Sequence, residues 1–163
     1  MKLLNEAASV QSQMSALQGM SMVRRIQIPR GQVLYRFYDS VRAPSPQSGA
    51  DGPWWLEFES FQAIKHFALR NGHSPSYAAR LFAAILYEWS EVNAFVACAT
   101  TEGLVAWKGR GKQVRSSGRD ERDLATMTPM QSVLEVYQLY IPGIGGPSSL
   151  ASTAFRVHTS GVL

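Results

Sequence analysis

The sequence has a single cysteine, a modest share of charged residues and no long apolar run. Cys98 excludes an intrachain disulfide and a multi-cysteine zinc site, and one lone thiol is typical of a reducing compartment. The longest uninterrupted apolar run, at positions 81–87, spans seven residues, whereas a membrane-spanning helix needs about 20. The apolar start of the chain turns polar at Asn5, too early for a secretory signal. These absences predict a soluble, cytoplasmic protein.

The composition still supports one folded domain. The chain has 163 residues, of which 45% are hydrophobic and 10% aromatic, so it has enough apolar surface to offset the conformational entropy lost on folding. We predict an N-terminal helix at residues 1–22, a single α+β domain at residues 23–144 and a loosely ordered C-terminal tail at residues 145–163.

Apolar spacing and turn residues predict the elements of this domain. Spacings of three and four indicate helices, and alternation indicates strands. Helices are predicted at residues 5–22, 54–70, 74–89 and 119–127, and strands within residues 23–38, 92–99, 104–107 and 133–141. Their order predicts an α+β fold with a small mixed sheet flanked by helices.

Positive charge is concentrated in one part of the sequence. Five bases fall within twelve residues that contain no acid, and the rest of the chain has 11 bases and 12 acids. These bases are Lys108, Arg110, Lys112, Arg115 and Arg119. Such a concentration is typical of a site for phosphate or nucleic acid, and equally of a solvated loop. We call residues 108–119 the basic segment.

Two glycines alternate with bases inside the basic segment. Glycine lets a backbone approach phosphate oxygens, and Arg and Lys add charged hydrogen bonds. Gly109, Arg110, Gly111 and Lys112 are therefore candidate phosphate- or nucleotide-binding residues, with Lys108, Arg115 and Arg119 as candidate contacts to nucleic acid. The segment is not a Walker loop, because Ala106 and Gln113 stand where that pattern needs Gly and Ser or Thr. An exposed glycine turn is the alternative.

Two adjacent tryptophans follow a loop rich in proline and glycine. Trp54 and Trp55 could stack on a base, or one ring could cap the core while the other covers a groove. Glu57 and Glu59 follow closely and are candidate catalytic carboxylates, because a metal-dependent nuclease holds Mg²⁺ with such groups. Two glutamates at the start of a helix also interact favourably with its dipole. No metal ligand can be assigned from the sequence.

Two charged residues lie in strand-like surroundings. Arg36 stands in the segment Leu-Tyr-Arg-Phe, and Glu135 stands between Leu134 and Val136. Paired across a cleft, Arg36 and Glu135 could bind and activate a dinucleotide. Unpaired, they are the outward residues of half-exposed strands.

The run from residue 74 to residue 113 resembles the ParB/sulfiredoxin-type fold, in which a hairpin ends in a glycine-plus-basic box at a helix start. Together with Trp54, Trp55 and the motif Gln-Leu-Tyr-Ile-Pro-Gly at residues 138–143, it resembles the plasmid fertility inhibition (oncogenic suppression) proteins. The box of that family reads Gly-x-x-Arg, whereas here Lys112 stands three residues after Gly109. A lysine keeps the charge but not the bidentate fork of arginine.

This resemblance implies a protein that blocks conjugative DNA transfer at the type IV secretion coupling protein, with ATPase and DNase activity. Arg110 and Lys112 would bind phosphates and, together with Glu57 and Glu59, would be the candidate catalytic residues. Arg115 and Arg119 would hold the DNA backbone. ATP and Mg²⁺ would be the cofactors, and DNA and the coupling protein the partners. The protein would then be cytoplasmic, or peripheral at the inner membrane through its partner.

The sequence also resembles the mono-ADP-ribosyltransferases. Their first strand carries an Arg, a later segment packs an aromatic ring against nicotinamide and a last strand carries the catalytic Glu, which correspond here to Arg36, Trp55 and Glu135. The Ser-Thr-Ser element of that family is missing, and Gln131 lies four residues before Glu135 instead of two. This resemblance implies NAD binding. A third hypothesis is an interaction module without turnover.

Overall fold

The fold is described from a computed structural model, in which residues 2–130 and 135–163 are described. The helices are α1 (Glu6–Ser9), α2 (Gln13–Gly19), α3 (Pro46–Gly49), α4 (Phe58–Asn71), α5 (Pro75–Ala83) and α6 (Ala151–Ala154). The strands are β1 (Met20–Ile28), β2 (Val33–Tyr38), β3 (Trp54–Trp55), β4 (Ala94–Thr100), β5 (Leu104–Gly111), β6 (Val114–Arg115), β7 (Thr126–Met127), β8 (Tyr137–Tyr140) and β9 (Phe155–Val162).

The strands form two principal antiparallel sheets. One sheet has the order β1-β5-β8-β3 and the other the order β2-β4-β9, and β6 and β7 form a separate short ribbon. The α+β class predicted from the sequence is therefore confirmed. The strands are divided between two sheets, because β2 and β9 pair with β4, whereas β1 and β8 pair with β5.

The main core lies where the two sheets meet. Leu34 and Val96 from one sheet share it with Trp55, Leu104 and Leu139 from the other, all buried. The opposite face of the β2-β4-β9 sheet is covered by α4 and α5, where Phe61, Ile64 and Phe82 pack with further rings. Successive residues of a strand face opposite sides, so the alternation within β2 decides which of its side chains enter the core.

The helix at residues 74–89 is shorter than predicted. Its start is as expected, with the Ser74 side chain accepting from the Tyr77 N–H and Pro75 in the first turn. It ends at Ala83, because Ala84 takes a left-handed conformation with φ of 52°. Arg80 then donates to the carbonyls of Ile85 and Ser90. The apolar pattern continues past the helix because the next segment is also partly buried.

The N-terminal segment is two short helices, followed by β1 from Met20, so the prediction of one helix through residue 22 was wrong. Ser9 and Ser12 hydroxyls donate to the carbonyls of Glu6 and Ser9, and such local bonds compete with helical ones. Asn5 fixes the start, since its amide donates to the carbonyls of Val105 and Pro142.

Three further expectations differ from the structure. Residues 54–55 are a strand and the helix begins at Phe58. Residues 119–125 form turns rather than a helix, because Asp123 accepts from the Tyr87 and Glu88 amides and β7 follows. Residues 145–163, predicted as a loose tail, contain α6 and β9, and β9 pairs along β4. The predicted strand at residues 133–141 is observed as β8, and residues 133 and 134 lie outside the described residues.

Candidate functional site: a cleft around Arg36

A cavity of about 800 Å³ opens beside the inner face of β2. Its walls come from α2, β2, β3, β6, β8 and the segment that follows α5. The residues that could bind a ligand there include Arg36, Arg115, Gln138, Trp54, Trp89 and Tyr140. We call it the Arg36 cleft. Its lining among the described residues contains two arginines and no carboxylate, so its chemistry favours an anionic ligand with ring systems.

Arg36 faces the cleft because of the alternation in β2. Leu34, Arg36 and Tyr38 share one face of the strand, and Leu34 and Tyr38 belong to the core between the sheets. Arg36 therefore points inward and is partly buried. The interpretation of Arg36 as an outward residue of a half-exposed strand was wrong.

The guanidinium of Arg36 is held by backbone oxygens. Nε donates to the carbonyl of Gly49 at 3.0 Å, and Nη1 donates to the carbonyl of Trp54 at 2.9 Å. Burial lowers the pKa of Arg36 to about 10, and the nearby charge of Asp51 opposes that shift. Arg36 still carries its positive charge at neutral pH, and it uses two of the five N–H donors of an arginine in these bonds.

Gly52 makes room for this arrangement. A Cβ on Gly52 would lie 2.0 Å from Nη2 of Arg36 and 2.2 Å from Cζ. Any side chain at this position would therefore displace the guanidinium. The loop before the tryptophan pair is thus shaped to seat an arginine, which the turn-like composition of that loop did not reveal.

The two tryptophans have separate roles. Trp55 is 1% exposed, stacks on Phe155 with ring centroids 4.4 Å apart and donates its indole N–H to the Gly52 carbonyl. Trp54 is partly exposed and meets Tyr140 edge to face at 5.0 Å. The structure thus matches the alternative in which one ring completes the core while the other covers a groove. Trp54 presents the ring that is better placed to contact a ligand.

Gln138 supplies a polar group on the cleft wall. Gln138 is 7% exposed, and its Nε2 donates to the Ala83 carbonyl at 3.2 Å. Within the described residues no donor binds its amide oxygen Oε1, which is the atom that a ligand would contact. A Cβ on Gly111 would lie 2.7 Å from that Nε2, so Gly111 allows the close approach of Gln138. Sequence reasoning did not select Gln138 as a site residue, although the alternation across residues 137–140 could have placed Gln138 and Tyr140 on one face.

Trp89 lies on a segment fastened to the end of the basic segment. The Asp123 carboxylate accepts from the amides of Tyr87 and Glu88, at 2.8 and 2.9 Å. Glu88 accepts from the Ser117 amide and pairs with Arg119, and these bonds hold the pKa of Glu88 below its usual value, the Ser117 bonds most of all. The segment that carries Trp89 is therefore fixed by hydrogen bonds to residues 117–123.

The bases of the basic segment do not converge on one concavity. Lys108 pairs with Glu57 at 2.5 Å, Arg110 pairs with Glu135, and Arg119 pairs with Glu88 at 3.4 Å. Arg115 lines the Arg36 cleft. Lys112 is exposed, and its backbone N–H donates to the Gly19 carbonyl.

The glycine-plus-basic box lies at the end of β5, with Lys112 just beyond the strand, and not at a helix start. Gly109 and Gly111 belong to the strand and are buried. A Cβ on Gly109 would lie 2.7 Å from the backbone oxygen of Ser21. These two glycines serve close packing within and beside the sheet, and neither forms a turn open to a phosphate.

Glu135 and the two candidate catalytic glutamates meet elsewhere. A second cavity of about 410 Å³ is lined by Glu57, Glu59, Ser60, Lys108, Glu135 and Tyr137. Tyr137 donates to Glu135 at 3.4 Å, and Tyr137 and Glu135 raise the pKa of Arg110. Glu135 is absent from the lining of the Arg36 cleft, so the structure does not bring Arg36 and Glu135 together.

The described residues contain neither a cluster of metal-ligating side chains nor a membrane-spanning helix. Within residues 2–130 and 135–163, no three His, Cys, Asp or Glu side chains are grouped so that they could hold a metal ion. The same described residues include no helix that is long and apolar enough to cross a membrane. Cys98 is buried in β4, and burial raises the pKa of its thiol to about 11.

No protein family model and no curated protein matches the chain. Two solved structures are similar in fold. A chain of the structure of Tne2 in complex with Tni2 has a TM-score of 0.50 and 16% identity, over 87% of this chain and 92% of that one. A chain of the structure of Rhs1-CT in complex with its cognate immunity protein RhsI1 has a TM-score of 0.51 and 10% identity, over 89% of this chain and 84% of that one. At such identities the likeness concerns the α+β fold alone.

Proposed function

We propose that the Arg36 cleft binds NAD⁺ and that the protein cleaves the bond between nicotinamide and ribose. This chemistry would be similar to that of the mono-ADP-ribosyltransferases. The observation that supports this most is the inward-facing Arg36, positively charged and held beside aromatic rings in a cavity of about 800 Å³. Ligand pockets typically have about 300 to 1,000 Å³. A dinucleotide has a pyrophosphate, which an arginine can bind, and flat rings, which aromatic side chains can contact.

The pyrophosphate is assigned to Arg36. A guanidinium binds phosphate oxygens through two parallel hydrogen bonds, and three of the five N–H donors of Arg36 are not used in its bonds to the two carbonyls. No carboxylate lines the cleft among the described residues. Asp51 acts on Arg36 through its charge, but within the described residues it forms no ion pair with Arg36.

Aromatic and amide side chains bind the rings and the ribose of the ligand. Trp54, Trp89 and Tyr140 offer ring faces or edges to nicotinamide or adenine, and base stacking on an aromatic side chain contributes about 1–3 kcal/mol. The Oε1 atom of Gln138 can accept a hydrogen bond from a ribose hydroxyl. Such a bond strengthens when the ribose becomes positively charged as the glycosidic bond breaks.

The reaction needs no cofactor in this scheme. The bond between C1′ of ribose and the nicotinamide nitrogen breaks heterolytically, and both electrons stay with nicotinamide, which leaves as a neutral molecule. Water adds its oxygen to C1′ and releases its proton to solvent. Arg36 and Gln138 position the dinucleotide, and the aromatic rings exclude bulk water from its faces.

The test measures nicotinamide release and NAD⁺ binding by the same protein. Wild-type protein is expected to bind NAD⁺, quench the fluorescence of Trp54 and Trp89 and release nicotinamide. Arg36→Gln and Gln138→Ala are each expected to lower both signals, and Arg70→Gln, an exposed site on α4, serves as the control. Thermal unfolding of each variant separates loss of function from loss of fold.

The outcomes decide among the hypotheses. Nicotinamide release that survives in both cleft variants would reject the assignment of the site, and a protein that neither binds nor consumes NAD⁺ would reject the function. Binding without release would leave a dinucleotide-binding module. ATP and DNA with Mg²⁺ are included as further ligands, because fertility inhibition with ATPase or DNase activity remains a prediction. The pairing of three of the five bases in the basic segment with carboxylates gives that prediction no support.

A further inference from the structure

We propose that Arg115 makes the Arg36 cleft selective for dinucleotides that carry an extra phosphate on the adenosine ribose, that is, for NADP⁺ over NAD⁺. This inference rests on the proposed function and concerns the same cleft. It starts from the presence of two guanidinium groups on separate elements, Arg36 on β2 and Arg115 on β6.

The two arginines differ in their surroundings. Arg36 is partly buried and fixed by two backbone carbonyls, whereas Arg115 is exposed at the edge of the cleft. Across residues 2–130 and 135–163, the ion pairs of the basic segment involve Lys108, Arg110 and Arg119 but not Arg115. Arg115 therefore brings an uncompensated positive charge to the lining.

One arginine suffices for the pyrophosphate of NAD⁺. Both of its phosphates are adjacent, and a single guanidinium fork can contact oxygens of both. NAD⁺ also carries the positive nicotinamide ring, so a second cation in the cleft gains little from it. A phosphate monoester adds roughly −1.5 to −2 charges at pH 7, which makes it the group that a second arginine would recognise.

The position of Arg115 is structurally defined. Its strand pairs with β7, where Arg115 stands opposite Thr126. The preceding turn is tied to α2 by the bond from the Lys112 amide to the Gly19 carbonyl, at 3.1 Å. Gly19 lines the cleft as well. The guanidinium is thus carried by a backbone anchored at the cleft wall, and arginine is the usual partner of the ribose 2′-phosphate in other dinucleotide sites.

The experiment compares dissociation constants for NAD⁺ and NADP⁺ by quenching of tryptophan fluorescence. Wild-type protein is expected to bind NADP⁺ about tenfold more tightly, the smaller end of what a charged hydrogen bond contributes. In Arg115→Gln the ratio of the two constants is expected to fall to about one. Arg30→Gln, an exposed arginine in the turn between β1 and β2, is expected to keep the wild-type ratio.

The outcomes separate this inference from the proposed function. Equal constants for the two dinucleotides in wild-type protein, or a ratio that persists in Arg115→Gln, would overturn the selectivity while the NAD⁺ site stands. Failure of both dinucleotides to bind wild-type protein would overturn both. Raised salt is expected to reduce the wild-type ratio, because an exposed charge is screened, and a ratio that does not change with salt would also count against Arg115.

Discussion

The Arg36 cleft and the second cavity both contain basic side chains, but their charges are compensated differently. Arg36 is held by the carbonyl oxygens of Gly49 and Trp54, which orient the guanidinium without neutralising its charge. Asp51 acts on Arg36 through its charge but forms no ion pair with it among the described residues. Lys108 and Arg110, at the second cavity and beside it, are paired with Glu57 and Glu135. A count of bases along the sequence therefore overestimates the net positive charge at the second cavity and underestimates it at the Arg36 cleft. Neutral carbonyl groups do not cancel the charge of a guanidinium, whereas carboxylates do.

The largest effect is expected when Arg36 is changed to Lys. An ammonium cannot contact both carbonyls and a phosphate in the geometry of a guanidinium, so the affinity for NAD⁺ should fall by about 100-fold, or about 2.8 kcal/mol. Lys112→Gln in the basic segment should change it by no more than about threefold, as expected for an exposed charge. Titration of both variants with NAD⁺ checks this prediction. A larger loss of affinity in Lys112→Gln than in Arg36→Lys would place the anion site in the basic segment instead of the cleft.

Two glycine substitutions should have opposite consequences. In Gly52→Ala the new Cβ displaces the Arg36 guanidinium, and the affinity for the dinucleotide should fall by about tenfold, or about 1.4 kcal/mol, in a protein that remains folded. In Gly109→Ala the Cβ lies 2.7 Å from the Ser21 carbonyl oxygen, and overpacking of this kind costs about 1–3 kcal/mol of stability.

Denaturant unfolding and NAD⁺ titration are measured for both glycine variants. Gly109→Ala should unfold at lower denaturant concentration while its folded fraction keeps wild-type affinity. If Gly109→Ala removed binding without loss of stability, the glycine-plus-basic box would be a ligand site and the assignment of the cleft would need revision.

The smallest effect is expected for Glu135→Gln. Glu135 lines the second cavity and pairs with Arg110 near the surface, so nicotinamide release should change by no more than about threefold, as for other exposed ion pairs. Gln138→Ala, three residues further along the chain and on the cleft wall, provides the matched comparison. A loss of turnover in Glu135→Gln that equals the loss in Gln138→Ala would restore Glu135 as a catalytic residue.

Much of the fold could be predicted from local signals. The capped start of α5 and the strands β4 and β5 follow from Ser74, Pro75 and runs of Val, Phe and Ala. The ends of helices were less predictable where a side chain from a distant part of the sequence binds backbone groups that a helix would otherwise pair. Arg80 binds the carbonyls that follow α5, and Asp123 binds the amides of Tyr87 and Glu88, so that neither segment needs to continue as a helix.

The candidate site was predictable in part. Arg36 could be singled out as a charged residue in a strand, and the tryptophan pair as rings beside a groove. Gln138 could not be assigned, because its role depends on the Ala83 carbonyl, and these two residues are 55 positions apart in sequence. The glycines of the box were misleading for a similar reason, since Gly109 makes room for Ser21 and Gly111 for Gln138.

The sequence by itself determined the α+β class, the alternation that turns alternate residues of β2 to one face, and the local excess of positive charge. Only the tertiary structure decided which of those charges remain uncompensated. Ion pairs join residues that are far apart in the chain, such as Lys108 with Glu57 and Arg119 with Glu88. Composition therefore counts charges correctly but cannot assign their partners, and the partners decide where an anion can bind.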